Sequence, residues 1–273
     1  MPSNQSAVNS RQLKIHIKTP EEVAIMREAG RIVARTHQAM KEALRPGVTT
    51  AQLDKIAEMV IRDHGAVPVF LQHTKPNSPP FPASITASVN YEVVHGIPSQ
   101  RELNEGDIVS LDTGVKYKGF VGDSAWSYVV GEPSPMVKRL LEVGEQSLYA
   151  GIRTSVLPND IREVALAIQK YIVAHGYDMV REYTGHGVGR EMWEDPQVPN
   201  WWSNNKKDRR QMDNPKLVPG MTYAIEPMVV AGRAETKELS DKWTVVTKDK
   251  SLAVHFEHTI AITDGEPLIL TQL

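Results

Sequence analysis

The sequence predicts an α+β fold of two similar halves, with antiparallel sheet covered by helices. Three observations carry that prediction. Apolar residues recur at alternating three- and four-residue spacing behind well-formed helix caps. Other stretches, rich in β-branched and aromatic residues, alternate with period two, and one pair is joined by a tight Gly-containing turn. The order helix, helix, strands then occurs twice, once in each half of the 273 residues, with no residue-level repeat.

Thr19-Pro20-Glu21-Glu22 starts the first helix, with Thr19 as N-cap, Pro20 in the first helical position and Glu22 reaching back. Val23, Met26, Gly30, Val33, His37, Met40 and Leu44 form its buried stripe, which ends at Arg45-Pro46-Gly47. No second ligand type lies at helical spacing from His37, so it reads as a hydrogen-bonded core residue. Thr49-Thr50-Ala51-Gln52 opens a second helix running to about Gly65. Residues 84–94 supply strands, and 106–115 with 120–130 form a hairpin turning through Lys118-Gly119. Residues 133–151 form a third helix, and Pro158-Asn159-Asp160-Ile161-Arg162-Glu163 caps a fourth that runs to Gly176. Strands return at 180–183, 221–230, 243–247 and 253–263, while the charged run 206–210 reads as a solvated loop.

Composition excludes several functions. A net charge of −2, with acids spread along the chain, argues against a nucleic-acid or membrane surface. The absence of cysteine removes disulfides, thiolate zinc sites and cysteine nucleophiles, and suits a reducing cytosol. The Ser/Asn/Gln-rich start lacks the apolar stretch of a signal peptide, and the best apolar run, 66–71, is too short to span a bilayer. The expectation is a soluble cytoplasmic protein, with a loose N-terminal tail over 1–16 and one catalytic domain over 17–273.

Chemistry concentrates at five positions. Antiparallel partners across a two-residue turn have numbers that add to an odd constant, and opposed side chains share a face. Asp112 and Asp123 also add to an odd number, so both carboxylates emerge on one face of the hairpin. Two carboxylates at one spot repel, so they either share a proton or hold a cation. Thr184-Gly185-His186-Gly187-Val188-Gly189 sets a histidine between glycines just after a strand, which alone could be a plain turn. Glu226 sits among apolar strand residues, where an unpartnered carboxylate would cost several kcal/mol. Glu257 lies between His255 and His258 on another strand. Each segment taken singly fits a structural or salt-bridged role. Together they make two Asp, two Glu and one His, whose four negative charges match two divalent cations. Oxygen-rich ligation with one imidazole suits Mn, Fe, Co or Zn, and a pair of such ions is a device for hydrolysis.

The order of these segments resembles the type I methionine aminopeptidases of the pita-bread metallopeptidase family. The matching words are Asn90-Tyr91-Glu92-Val93-Val94-His95-Gly96-Ile97-Pro98, residues 106–123, Gly185-His186-Gly187-Val188-Gly189, Pro219-Gly220-Met221-Thr222-Tyr223-Ala224-Ile225-Glu226-Pro227 and Phe256-Glu257-His258-Thr259. The resemblance runs from Ile17-Lys18-Thr19-Pro20 to the C-terminus. It implies the pita-bread (creatinase/aminopeptidase) fold and two divalent ions, Co, Mn, Fe or Zn. Asp112 would chelate one ion, His186 and Glu226 the other, with Asp123 and Glu257 bridging both. Glu226 would also handle the proton of the attacking water, and His95 would bond to the scissile peptide group. The implied reaction removes N-terminal methionine from nascent chains, at the ribosome, when the next residue is small; a monomer is expected.

Two departures stand out. The family's histidine seven residues past the metal-binding one, a contact to the substrate carbonyl, is Trp193 here. An indole can donate one hydrogen bond but cannot carry a proton charge. The family's short pocket loop is replaced by the longer Gln72-His73-Thr74-Lys75-Pro76-Asn77-Ser78-Pro79-Pro80, leaving Phe81, Thr86, Met192 and Trp243 as candidate walls for an apolar side chain. His255, two residues before Glu257 and on the same strand face, is either a substitute imidazole or a partner that holds Glu257. Rival functions are a prolidase or Xaa-Pro aminopeptidase, whose usual extra N-terminal domain has no room here, and a non-catalytic binding module, which would tend to lose ligands. Glu226 and Glu257 are only 31 residues apart, too close for the insertion of type II enzymes.

Overall fold

The first helix, α1 (Pro20–Ala43), begins where its caps predict: Thr19 accepts from the Glu22 N–H, and the Glu22 carboxylate takes the Thr19 N–H. The same reciprocal box, Thr49 with Gln52, starts α2 (Thr50–Asp63). Each such cap stabilises its helix by about 1 kcal/mol. In this computed structural model, which describes residues 13–209 and 212–273, both helices cover a sheet of β1 (Val67–Pro68), β2 (Thr86–Val89), β4 (Ile108–Tyr117) and β5 (Phe120–Val129). The short β3 (Glu92–Val94) leaves that sheet. The β4–β5 hairpin pairs without interruption from Ile108↔Val129 to Tyr117↔Phe120. Its two turn residues, Lys118 and Gly119, both have positive φ, 47° and 84°, as a two-residue hairpin turn requires. Helix α1 lies directly on β5, because Gly122 has no Cβ to strike the backbone at Ala29 and Gly30.

The second half repeats the order. Ser134 caps α3 (Pro135–Thr154), two residues later than the sequence suggests, and Asp160 with Glu163 caps α4 (Ile161–Ala174). The strands β6 (Asp178–Met179), β7 (Gly185–Gly187) and β8 (Glu194–Val198) follow, then a single helical turn α5 (Lys206–Arg209). Next come β9 (Thr222–Ile225), β10 (Met228–Val230), β11 (Thr236–Glu238), β12 (Val245–Thr247), β13 (Ala253–His255), β14 (His258–Ala261) and β15 (Leu268–Ile269). One sheet has the order β15-β14-β9-β7-β8, and two smaller ones run β13-β10-β6 and β11-β12-β3. Every described pairing is antiparallel.

Several sequence expectations need correction. Residues 180–183 are not a strand; pairing to β10 falls earlier, on Asp178 and Met179. His186, expected just after a strand, lies within one, β7, between β8 and β9, so the alternative of a plain turn falls away. The predicted strands 221–230 and 253–263 each break, at Glu226-Pro227 and Phe256-Glu257. A proline cannot donate to a ladder, which accounts for the first break. The charged run is one exposed helical turn rather than a loop, with Arg210 outside the described residues. Residues 13–16 of the expected tail already belong to the structure: Ile15 packs on the core and the Lys14 N–H reaches Asp195 Oδ2 at 2.9 Å. The rest of that tail lies outside the described residues.

The halves join where β5 meets the β13–β14 segment. Ser127 Oγ donates to the His255 carbonyl at 2.9 Å, and Ser124 Oγ to that of Glu257 at 2.5 Å. Thr259 Oγ1 donates to the Asp123 carbonyl at 2.8 Å, and the Glu257 N–H reaches the Ala125 carbonyl at 2.7 Å. From α1, buried His37 donates through Nε2 to the Ser124 carbonyl at 2.9 Å, the core role its sequence context predicts. These bonds fix the backbone on both sides of Asp123 and Glu257.

Candidate metal centre

Asp123 opposes Gly114 and Asp112 opposes Ala125, so the two carboxylates sit diagonally on one face of the hairpin, as parity predicts. Gly114 leaves room for Asp123; a Cβ there would lie 3.5 Å from Asp123 Oδ1 and 3.0 Å from Met192 Cε. His186 reaches the same place from β7. Its flanking glycines are required because a Cβ at Gly185 or Gly187 would come within 2.3 Å of the Ala224 or Asp195 carbonyl oxygen. Glu226 and Glu257 enter at the two strand breaks, where irregular backbone can turn a side chain out of the ladder. All five side chains line one cavity of about 910 Å³.

Ligating atoms of Asp123, His186 and Glu257 lie within 4.8 Å of one another. Glu226 Oε1 is 3.6 Å from His186 Nε2, as is Asp123 Oδ2. The His186 Nδ1 proton is donated to the Gly187 carbonyl at 3.0 Å, which leaves the Nε2 lone pair facing these carboxylates. A lone pair and carboxylate oxygens cannot bond to each other. A cation between them satisfies all three, and a ring held through its other nitrogen is the usual arrangement of a ligating histidine. Burial holds the imidazole neutral, with its pKa lowered to about 4.

The carboxylates give the same answer. Asp112, Asp123 and Glu257 are buried, and Asp112 Oδ1, Asp123 Oδ1 and Glu257 Oε1 have no hydrogen-bond partner among the described residues. Burial pushes the pKa of Asp112, Asp123, Glu226 and Glu257 well above the carboxylate range, and mutual repulsion adds to this in all but Glu226. Two like charges some 5 Å apart repel by roughly 3 kcal/mol even at an effective dielectric of about 20. Four together would not stay ionised without cations. The donor set therefore fits divalent metal, and its oxygen-rich, cysteine-free chemistry fits Mn, Fe, Co or Zn.

His95 lies on the cavity wall at the end of β3, in a left-handed conformation (φ 60°) uncommon for a side chain of its size. Burial lowers its pKa to about 4, and the Tyr183 ring packs against its edge at 5.7 Å. His255 is buried on the same wall, with Nε2 unpartnered and 3.6 Å from Glu226 Oε2. The carboxylate it approaches is Glu226; a bond to Glu257, one of the two roles the sequence left open, is not present among the described residues.

The apolar wall differs from expectation. Met192, Trp193, Phe70 and Phe120 line the cavity. Phe81 and Trp243 are buried against that wall rather than in it: Phe81 lies edge-on to Phe70 at 6.5 Å and to Trp243 at 5.2 Å. Thr86 is the cross-strand partner of Asp112 and is likewise not part of the wall. Phe70 and Phe120 carry no sequence signal of a site. Tyr183 directly precedes the Thr184-Gly185-His186 word and was legible by that proximity alone.

Such a cluster of buried carboxylates and one imidazole, held between two helix-covered halves, defines a metallopeptidase-like centre. Residues 24–264 match metallopeptidase family M24, and the chain belongs to that family, among its methionine aminopeptidases. "Methionine aminopeptidase 1" of Bacillus subtilis (strain 168) is 49% identical over 256 residues, 94% of this chain and 98% of that protein. The structure of methionine aminopeptidase from Rickettsia prowazekii superposes with a TM-score of 0.88 at 36% identity, covering 94% of this chain and 100% of that one. A prolidase from Pyrococcus furiosus shares the fold, with a TM-score of 0.74 at 22% identity, but this chain spans only 65% of it. The pita-bread fold and the family resemblance read from the sequence are borne out.

Proposed function

We propose that this chain is a dinuclear metal-dependent aminopeptidase that removes N-terminal methionine when the second residue is small. The observation that carries the reading is the His186 Nε2 lone pair aimed at two buried carboxylates, within a set of four. Asp112, Asp123, His186, Glu226 and Glu257 would hold two divalent ions, with Asp123 and Glu257 shared. Bound there, the ions supply Lewis acidity toward the scissile carbonyl and lower the pKa of water. Glu226, whose pKa burial raises, accepts the water's proton at a carboxylate oxygen and passes it to the leaving nitrogen. His95 is neutral at physiological pH and hydrogen-bonds the scissile peptide group. Met192 and Phe70, backed by Phe81 and Trp243, hold the methionine side chain, and Thr86 fixes the strand beside Asp112.

The donors come from both halves, which supports treating 17–273 as one catalytic domain. On the same reading the chain would act on nascent polypeptides in the cytoplasm, at the ribosome, as a monomer. No described helix is long and apolar enough to cross a membrane. The test is release of methionine from Met-Gly-X and Met-Ala-X peptides, compared with X-Pro peptides, with and without Mn or Co. Norleucine should replace methionine with little loss, since thioether and methylene are alike in size, and N-terminal lysine should fail through desolvation. Metal-independent release, or preference for X-Pro, would overturn the reading.

A further inference from the structure

The two places where the chain departs from the family pattern touch each other. The Trp193 ring stacks on His73 of the long 72–80 loop, with centroids 4.4 Å apart and planes at 45°. Both positions are held firmly. Glu194 Oε1 accepts from the Arg190 and Glu191 N–H groups, and its Oε2 bonds Lys18 Nζ at 2.6 Å, fastening the turn that carries Trp193. The loop is tied to the β11–β12 hairpin by the Lys75–Glu238 ion pair at 2.6 Å and the Trp243 Nε1–H to Pro79 carbonyl bond at 2.9 Å. The His73 O and Phe81 N–H close it at 2.8 Å. A pair assembled from two anchored segments is built, not incidental.

Its location suggests its task. Trp193 lines the cavity, its ring 6.2 Å from that of the metal-site His186, yet it is 49% exposed. Met192 and Phe70 form a buried apolar wall of the same cavity, which on the aminopeptidase reading takes the methionine side chain. An indole at the mouth, beside the reacting centre, faces what lies beyond the scissile bond. We propose that Trp193 is a specificity-determining residue that limits the size of the second residue of the substrate, and that His73 is a positioning residue that holds the indole across the mouth. This rests on the proposed aminopeptidase reading. A flat ring wider than an imidazole narrows the space for that side chain, and the stack with His73 denies it room to swing aside.

The test measures kcat/KM for Met-Ala-Ser and Met-Leu-Ser, and calorimetric Kd for the same tripeptides with the first amide reduced to CH2–NH. Trp193→Ala should raise the Leu/Ala ratio of kcat/KM by about tenfold or more, the scale on which pocket volume discriminates side chains. His73→Ala should raise it by a smaller factor, and His73→Phe, which keeps a ring to stack, should restore the original ratio. In the double alanine variant the loss should not exceed that of Trp193→Ala, because the imidazole acts only through the indole. The reduced peptides should show the same ratios in Kd, without turnover. An unchanged ratio in Trp193→Ala, or an effect of His73→Ala in the Trp193→Ala background, would overturn the proposal while methionine release by the unaltered chain kept the aminopeptidase reading intact. Failure of the unaltered chain to bind or cleave either peptide would overturn both.

Discussion

His255 Nε2 sits 3.6 Å from Glu226 Oε2, beyond hydrogen-bond length, and has no hydrogen-bond partner among the described residues. That proximity makes His255 a candidate support for Glu226, the carboxylate proposed above to handle the proton. On that view His255→Ala weakens metal binding by about 10–100-fold, the usual consequence of removing a partner of a ligand. His255→Gln, whose amide reaches nearly as far with a donor, should recover much of it. Metal titration, with activity measured at saturating metal, separates the alternatives. Unchanged affinity with kcat lost at saturating metal would make His255 a transition-state contact instead. Its identity as a site residue was legible from spacing to Glu257, but its partner was not. That partner depends on the break at Glu226-Pro227, after which β10 pairs with β13 and sets Met228 opposite His255, a contact between distant segments.

Gly30 and Gly122 show how an element, rather than a residue, sets the site. A Cβ on Gly122 would lie 2.7 Å from Gly30 N and 2.9 Å from Ala29 C, so α1 could not seat on β5. Gly122→Ala should therefore cost about 1–3 kcal/mol, the usual penalty of overpacking, and should weaken metal binding because Asp123 is the next residue. Gly119→Ala, at the hairpin turn with φ 84°, meets only Arg190 Nη1 at 4.0 Å. It should cost about 1 kcal/mol for the positive φ alone and leave metal affinity as it was. Thermal unfolding with metal titration compares them; equal effects of both variants on metal affinity would refute this account. Elements defined by local chemistry were legible: the boxes Thr19/Glu22, Thr49/Gln52 and Asp160/Glu163 each start a helix. Strands defined by partners were less so. Gly185-His186-Gly187 could equally be a turn by sequence, because glycine weakens strands, yet it is a strand because only glycine lets β8 and β9 approach so closely.

At the scale of the whole molecule, two sets of buried groups pull stability in opposite directions with pH. Asp112, Asp123, Glu226 and Glu257 have raised folded-state pKa values. Without metal the folded chain therefore binds more protons than the unfolded one above the ordinary carboxylate range, and stability falls as pH rises through that window. His37 and His258 are held neutral by burial, with pKa lowered from 6.5 to about 4 and about 3. Their contribution is present above pH 6.5 and is lost as pH falls toward those values. Added Mn or Co neutralises the carboxylates, so the metal-induced rise in Tm should be largest near about pH 8 and shrink toward about pH 5.5, where protons compete for the same oxygens and the histidine contribution is also failing. Asp123→Asn then makes the sharpest prediction. It removes one of four acids that, without metal, must either take up a proton on folding or repel its neighbours, so at about pH 8 the metal-free variant should be more stable than the unaltered chain by about 1–3 kcal/mol, the scale of one such repulsion. The same change should abolish methionine release and most of the metal-induced rise in Tm, because the candidate cluster has lost one carboxylate charge. Stability gained and function lost by one substitution is the mark of a site strained for its task. A metal-free Asp123→Asn protein less stable than the unaltered chain at that pH would show that the carboxylates are not in conflict, and the case for a cation-dependent centre would lose its electrostatic basis.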